Sequence, residues 1–250
     1  MRLRDKVALV TGGSSGMGRA ASVLLAREGA DVVVADIDLE GAKQTIAQVE
    51  AEGRRGLAIK TDVSKRSDAQ DMVQQAVAEF GHVDVLLNNA GVLKSVNILD
   101  LTEAEWRRQV GVLLDGVLWV GQAVGRHMIE NSIKGAIVNT ASLAVFIAFV
   151  GSAAYCAAKG GVAQLTKVMA IEWAQYGIRV NAVSPGYVRT PMIFDQFNDP
   201  GKKEAWLAEI PMGRFAEPED VAKVMVWLAT DEASYMTGAN VLVDGGRMVR

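Results

Sequence analysis

The sequence predicts an α/β fold, a parallel sheet of about seven strands with helices covering both faces. Short apolar runs of about five residues alternate with longer segments of helical periodicity along the chain, the pattern of β-α-β units. The first apolar run breaks into a glycine-rich turn that opens a helix. Later runs end in short polar or glycine-containing stretches, among them Asn88-Asn89-Ala90-Gly91, which suit a chain turning close beneath a ligand.

Lys6 to Val10 is the first strand and leads into Thr11-Gly12-Gly13-Ser14-Ser15-Gly16-Met17-Gly18, followed by a helix from Arg19. Its glycines, Gly12, Gly16 and Gly18, follow a G-x-x-x-G-x-G spacing. Glycines there permit a tight turn and close approach of a pyrophosphate, whose charge meets free N–H groups at a helix N-terminus. Asp31 to Ala35 is the second strand, closed by Asp36, eighteen residues after Gly18. An acidic group at that point accepts hydrogen bonds from adenosine ribose hydroxyls and repels a 2′-phosphate. Neither Ile37 nor Ser15 supplies a compensating cation, so Asp36 favours NAD over NADP.

A helix from Leu39 to Glu52 ends at Gly53, and a third strand runs from Gly56 to Lys60 toward Thr61-Asp62-Val63. Ser64 to Phe80 is an amphipathic helix stopped by Gly81, and Val83 to Leu87 is the fourth strand. Thr102-x-x-Glu105 is a capping box opening a helix that runs from Trp106 to about Met128. Gly135 to Thr140 is the fifth strand. From Tyr155 a helix extends to Tyr176 and Gly177, with Val162, Leu165, Val168, Met169 and Trp173 spread over more than one face, which points to packing beyond its own sheet. Ile178 to Val183 is the sixth strand, ending in Ser184-Pro185-Gly186-Tyr187-Val188-Arg189-Thr190. Periodicity is lost between Pro191 and Pro211, apart from a turn at Asn198-Asp199-Pro200-Gly201 and a short helix near Lys203 to Ala208. Such an excursion reads as a lid or specificity loop. Glu217-Pro218 opens the last helix, and Asn240 to Val243 is the seventh strand. With no repeat or linker, residues 1–250 read as one domain.

Composition excludes several function classes. A net charge of -3 with 22% charged residues gives no nucleic-acid footprint. One cysteine, Cys156, forbids an internal disulfide, and with only His82 and His127 no metal cluster is expected. The expected compartment is reducing and cytoplasmic, and the apolar run after Lys6 is too short for a signal-peptide core. Residues 135 to 158 carry no charge, but Asn139, Thr140, Ser142, Gly151, Ser152 and Tyr155 break that stretch, so no membrane span is expected.

The chemistry centres on Ser142 to Lys159. Tyr155 and Lys159, four residues apart on a helix, share a face with Cβ atoms roughly 5–6 Å apart, so a hydroxyl and an ammonium meet in one site. Between Ser142 and Tyr155 lie Leu143, Ala144, Val145, Phe146, Ile147, Ala148, Phe149 and Val150, and the later loop holds Met192, Ile193, Phe194 and Phe197. Pocket walls are commonly apolar, so a small, largely apolar substrate is expected.

Taken together, Thr11-Gly12 through Gly18, Asp62, Asn88-Asn89-Ala90-Gly91, Ser142 with Tyr155 and Lys159, Pro185-Gly186 and Asp244-Gly245 resemble the short-chain dehydrogenase/reductase family in order and approximate spacing over nearly the whole chain. The resemblance implies a single doubly wound, Rossmann-type domain with a dinucleotide along the carboxyl ends of the strands. It implies an oxidoreductase that interconverts a secondary alcohol and a ketone. Tyr155 would act as general acid or base, Ser142 would orient the substrate oxygen, and Lys159 would hold the nicotinamide ribose and lower the tyrosine pKa. The implied dinucleotide contacts are Gly12, Ser14, Ser15, Gly16 and Met17 in the glycine turn, Asp36, Asp62 and Val63 around the adenosine, and Asn89, Ala90 and Gly91 after the fourth strand. At the nicotinamide end they are Tyr155, Lys159, Pro185, Gly186, Val188 and Thr190. A homo-oligomer, a tetramer by the family's habit, is implied too, with Trp119 and Trp173 on its apolar helices.

The family often carries an asparagine seven residues after a tryptophan in the helix following the fourth strand. Counting from Trp106 reaches Leu113. Leucine offers no amide, though its main-chain carbonyl remains, so the lysine-side water relay is expected to be altered rather than absent. Asp115 takes that role only after a register change and otherwise reads as a surface residue. Two rival readings are a 3-oxoacyl-carrier-protein reductase using NADPH, which Asp36 and Ser15 oppose, and a non-catalytic dinucleotide-binding module, which the intact Ser142, Tyr155 and Lys159 oppose.

Overall fold

In a computed structural model that describes residues 1–193 and 200–249, seven strands form one parallel sheet in the order β3-β2-β1-β4-β5-β6-β7. These are β1 (Val7–Thr11), β2 (Asp31–Asp36), β3 (Gly56–Lys60), β4 (Val85–Asn88), β5 (Ala136–Thr140), β6 (Arg179–Pro185) and β7 (Asn240–Val243). β2 and β3 build outward on one side of β1 and the last four strands on the other. The chain therefore reverses its winding between β1 and β4, the position where open parallel sheets leave a crevice. Register keeps the strand ends level: Thr11 pairs with Ala35 on one side and Asn88 on the other, and Asn88 pairs with Asn139.

Two cores follow from the alternation of side chains along each strand. Ala8, Val10, Val32, Val34, Leu87 and Val138 pack against α1 (Gly16–Arg27), α2 (Leu39–Ala51) and α8 (Pro218–Ala229). Val7, Leu9, Val33, Leu86 and Ile137 face the opposite layer of α3 (Arg66–Phe80), α5 (Gly116–Glu130) and α6 (Ala153–Trp173). The short α4 (Glu103–Val110) starts at Thr102, whose Oγ1 accepts the Glu105 N–H at 3.2 Å. The lid region contains α7 (Pro200–Ala208), which begins earlier than the sequence suggests. Phe194, Phe197 and the Asn198-Asp199 half of the expected turn lie outside the described residues. No described helix is long and apolar enough to cross a membrane.

The helix expected to run unbroken from Trp106 is interrupted. Gly111–Asp115 forms a π-helical turn between α4 and α5. Glycine, a weak helix former, opens it at 111 and follows it at 116. A Cβ on Gly116 would lie 2.9 Å from Val63, so the helix packs there closer than any side chain permits. Inside this turn Leu113 is fully buried, at 0% exposure.

Leu86, at 0% exposure in β4, tests the sheet core. Leu86→Ala should lower unfolding stability by about 2–5 kcal/mol in urea titrations, and an unchanged midpoint would contradict its placement.

Candidate active site

Positive φ at Gly12 (+65°) and Gly16 (+51°) bends the turn between β1 and α1 back over the sheet edge. A Cβ on Gly12 would sit 2.6 Å from the Ala90 Cα, and one on Gly18 would sit 2.1 Å from the Gly12 carbonyl oxygen, so glycine is obligatory at both. α1 starts with no side-chain cap and no acidic residue in its first turn, leaving its N-terminal amides for an anion.

The loop after β4 is tied to this turn. The Asn89 amide donates to the Thr11 and Gly12 carbonyls at 3.2 and 3.0 Å, and the Asn89 and Ala90 N–H groups donate to Thr11 Oγ1 at 3.0 and 3.2 Å. Thr140 Oγ1, at the end of β5, donates to Asn89 Oδ1 at 3.4 Å. Lys159 Nζ donates to the Thr140 carbonyl at 2.5 Å. A continuous set of hydrogen bonds thus runs from the glycine turn to the lysine.

These elements enclose a cavity of about 260 Å³ lined by the sequence-predicted Gly12, Ser14, Ser15, Gly16, Met17, Asp36, Asp62, Val63, Asn89, Ala90, Gly91 and Thr190. The Asp36 carboxylate is held by the Ser14 N–H at 2.9 Å and the Asp38 N–H at 3.0 Å. Arg19 bonds Thr45 Oγ1 at 3.1 Å and the Ser14 carbonyl, and it lines neither this cavity nor the next. Asp62 accepts from both the N–H and the hydroxyl of Ser64, which holds its carboxyl below the usual range. An uncapped helix start, a backbone cradle without room for Cβ atoms and a carboxylate at the end of β2 fit a dinucleotide.

A second cavity, about 350 Å³, adjoins the first and shares Met17, Asn89, Gly91, Thr190 and Met192 with it. Ser142, Tyr155 and Lys159 line it, as do Pro185, Gly186 and Val188, which fall here rather than in the glycine-turn cavity. Its apolar wall includes Leu143, Phe149, Val150, Met192 and Ile193 from the predicted segments; Phe146 is instead exposed, at 45%. Leu113 contributes to the wall beside Gly91, while Asp115 lines neither cavity.

Electrostatics correct one expectation. Burial pushes the Tyr155 phenol up from its ordinary value, opposed by a hydrogen bond with Ser142. The depression expected from Lys159 is not present in the protein alone. That ammonium lies 5.8 Å from the Tyr155 ring centroid and is bonded to the Thr140 carbonyl. Lys159 itself, 3% exposed, is pushed down to about 8 by burial. Ser142 Oγ accepts the Ala144 N–H at 3.1 Å, which fixes the hydroxyl where β5 ends.

The sequence reading missed other parts of the wall: Leu93, Ser95, Trp206, Arg247 and the ring of Tyr187. Tyr187 stacks on Trp206 with centroids 4.4 Å apart and planes at 12°. Its position between Gly186 and Val188 is a signal that was available; nothing in the sequence near Arg247 marks it.

Fold and cavities define the Rossmann-like class. A family model described as Enoyl-(Acyl carrier protein) reductase matches residues 12–247. The chain belongs to the short-chain dehydrogenase/reductase family, whose members are oxidoreductases that use a nicotinamide dinucleotide. It is 39% identical over 254 residues to a 3-oxoacyl-(acyl-carrier-protein) reductase of Thermotoga maritima, covering 100% of both chains. It is 40% identical over 250 residues to a cyclohexanol dehydrogenase of Acinetobacter, covering 98% of this chain and 95% of that protein. An Agrobacterium tumefaciens structure assigned as a 2-deoxy-D-gluconate 3-dehydrogenase, solved with bound NADP, superposes with a TM-score of 0.93 at 35% identity, covering 99% of this chain and 98% of that one.

Because the Lys159 pKa in the folded chain (about 8) lies below its ordinary 10.5, the folded state carries the full cost of the buried ammonium below about pH 8 and sheds it as the pH rises toward 10.5. Lys159→Met should therefore stabilise the cofactor-free protein by about 2 kcal/mol at pH 7 and by little at pH 10.5. Destabilisation at pH 7 in urea titrations would contradict this.

Proposed function

We propose that the chain is an NAD-dependent dehydrogenase interconverting a small, largely apolar secondary alcohol and its ketone. The observation that carries this is the meeting of Ser142, Tyr155 and Lys159 on one wall of an apolar cavity that adjoins the glycine-turn cavity. The cyclohexanol dehydrogenase relative supports the substrate class.

The glycine turn, Asp36 and the loop after β4 would hold a nicotinamide dinucleotide, which would supply the hydride acceptor for oxidation and the donor for reduction. In oxidation the substrate hydroxyl sits against Ser142 Oγ and Tyr155 Oη. Its proton passes to the Tyr155 phenolate, the carbinol C–H leaves as hydride, and the remaining electron pair forms the carbonyl. In reduction Tyr155 returns that proton. The Lys159 ammonium adds positive charge behind the reacting groups, and its bond to the Thr140 carbonyl fixes its position. Water exclusion falls to Leu113, Leu143, Met192 and Trp206.

Asp36 supports NAD over NADP. Its carboxylate is oriented by two backbone donors at the end of β2, and Ile37 beside it is exposed and uncharged. The carrier-protein reductase relative marks the second reading, in which NADPH is the donor; Asp36 opposes it. Exposed Val168 and Ile171 on α6 support self-association, with the tetramer as the expected form.

Two measurements bear on this. Tyr155→Phe should lower turnover by about three orders of magnitude or more while NAD binding stays within about threefold. In the wild type, kcat/KM for oxidation should climb by up to about tenfold per pH unit between pH 7 and 9, because a raised phenol leaves little phenolate at neutral pH. Retained activity in the variant, or an oxidation rate that falls with pH, would remove the acid/base role. Asp36→Ala should cut the NAD-over-NADP ratio of kcat/KM by about tenfold or more, and a wild type that prefers NADP would contradict the cofactor reading.

A further inference from the structure

Arg247 has no part in the chemistry above, yet it lies in the wall of the substrate cavity. It begins a short 3₁₀ turn (Arg247–Val249) after β7, anchored by Asp244, whose carboxylate accepts the Gly246 and Met248 N–H groups at 2.9 and 2.8 Å. That turn is seated against the end of the lid region. The Met212 N–H donates to the Gly245 carbonyl at 3.2 Å, and a Cβ on Gly245 (φ +65°) would lie 2.7 Å from Ile210 Cγ2. From this seat the Arg247 side chain, 12% exposed, reaches three separate parts of the chain. Its guanidinium lies 4.5 Å from the Tyr187 ring centroid and 5.2 Å from that of Phe149, and Nη2 pairs with Glu209, just past α7. The Tyr187 hydroxyl meets both Arg247 and Glu209, while its ring stacks on Trp206 of α7.

We infer that Arg247 is a positioning residue for the substrate cavity, holding Tyr187 and α7 where the rings of Phe149, Tyr187 and Trp206 form one aromatic wall. Its contacts divide by chemistry. The charge reaches Glu209 and so tethers the end of α7, whereas the flat face of the guanidinium packs on the two rings, which a compact ammonium cannot do. Tyr187 is the shared part, because it stacks on Trp206 and meets the Arg247–Glu209 pair through its hydroxyl. Folding stability does not account for this arrangement. Arg247 Nη1 is buried with no acceptor among the described residues, and a desolvated ion pair is commonly replaced by apolar side chains without loss. What the pair supplies is one defined geometry for rings that could otherwise pack in several ways. Among the described contacts none joins Arg247 to Ser142, Tyr155, Lys159 or the glycine turn, so its loss should disturb where a substrate sits and leave proton transfer and nucleotide binding in place. The inference rests on the alcohol–ketone reading for its choice of substrate.

The test uses the full-length protein with NAD and cyclohexanol. Arg247→Met should raise KM by about tenfold while kcat and the NADH dissociation constant change by less than about threefold. Arg247→Lys, which keeps the charge and loses the flat face, should raise KM by about threefold. Because Arg247 acts through Tyr187, the effects of Arg247→Met and Tyr187→Leu on KM should not multiply, and the double variant should fall within about twofold of the poorer single variant. An unchanged KM in Arg247→Met, a fall in kcat as large as the rise in KM, or multiplying effects in the double variant would each overturn the inference. The same positioning is read without turnover from Trp206, taken as the difference in acrylamide quenching of fluorescence with and without Trp206→Phe. Arg247→Met should raise that Trp206-dependent quenching by about twofold, and an unchanged value would overturn the inference whether or not any alcohol is oxidised. Raised quenching in a protein that oxidises no alcohol would count against the reaction and not against the positioning.

Discussion

Parallel pairing is the constraint on which the rest of this structure depends. Neighbouring parallel strands need a crossover, so every strand of the sheet delivers its carboxyl end to the same edge. Residues as far apart in sequence as Gly12, Asp36, Asn89, Ser142 and Gly186 meet there for that reason alone. The reversal of winding between β1 and β4 opens the crevice, and the missing Cβ atoms of Gly12 and Gly18 let the two loops that flank it close to backbone contact. The helix layers serve this edge by burying both faces of strands whose middles are apolar in β1, β2 and β4, while Asn139 in β5 and Asn181 in β6 are hydrogen-bonded to Thr166 Oγ1 and the Met236 carbonyl.

Hydrogen bonding then converts a shared edge into a rigid one. Thr11 and Thr140 are polar strand ends, and both bond to Asn89 in the loop after β4. Lys159 is bonded into that set through the Thr140 carbonyl. A cation kept almost wholly from water, at a cost reflected in its lowered pKa, contributes nothing to folding that an apolar side chain would not do better. Under the proposed function, its place in one cavity wall with Ser142 and Tyr155 accounts for its retention. Tyr155, raised by burial in the protein alone, is poised as a proton donor; as a base it needs the positive charge that a bound oxidised nicotinamide brings.

Much of this was legible in the sequence. The strands are continuous apolar runs, and the glycine turn, Asp36, Asn89, Ser142, Tyr155 and Lys159 are marked by residue type and spacing. What was not legible has physical reasons. A π-helical turn adds one residue to a helix without altering its composition, so apolar periodicity through Leu113 looks the same with or without it. The direction of the Tyr155 shift depends on how deep the phenol lies and on Lys159 choosing the Thr140 carbonyl, neither of which is a property of spacing. Tyr187, Trp206 and Arg247 come together only because the lid region and the chain after β7 fold over the same cavity.

The two adjoining cavities give the proposed reaction its form: the expected nicotinamide-end residues Pro185, Gly186 and Val188 line the same cavity as Ser142, Tyr155 and Lys159, so a bound nicotinamide would meet a carbinol carbon there and take its hydride directly. The most direct measurement is isotope transfer. Cyclohexanol deuterated at the carbinol carbon is incubated with the protein and NAD, and the reduced nucleotide is examined by NMR. The account predicts deuterium at C4 of the nicotinamide, on one face only. Reduced nucleotide without the label, or label found only in water, would contradict it.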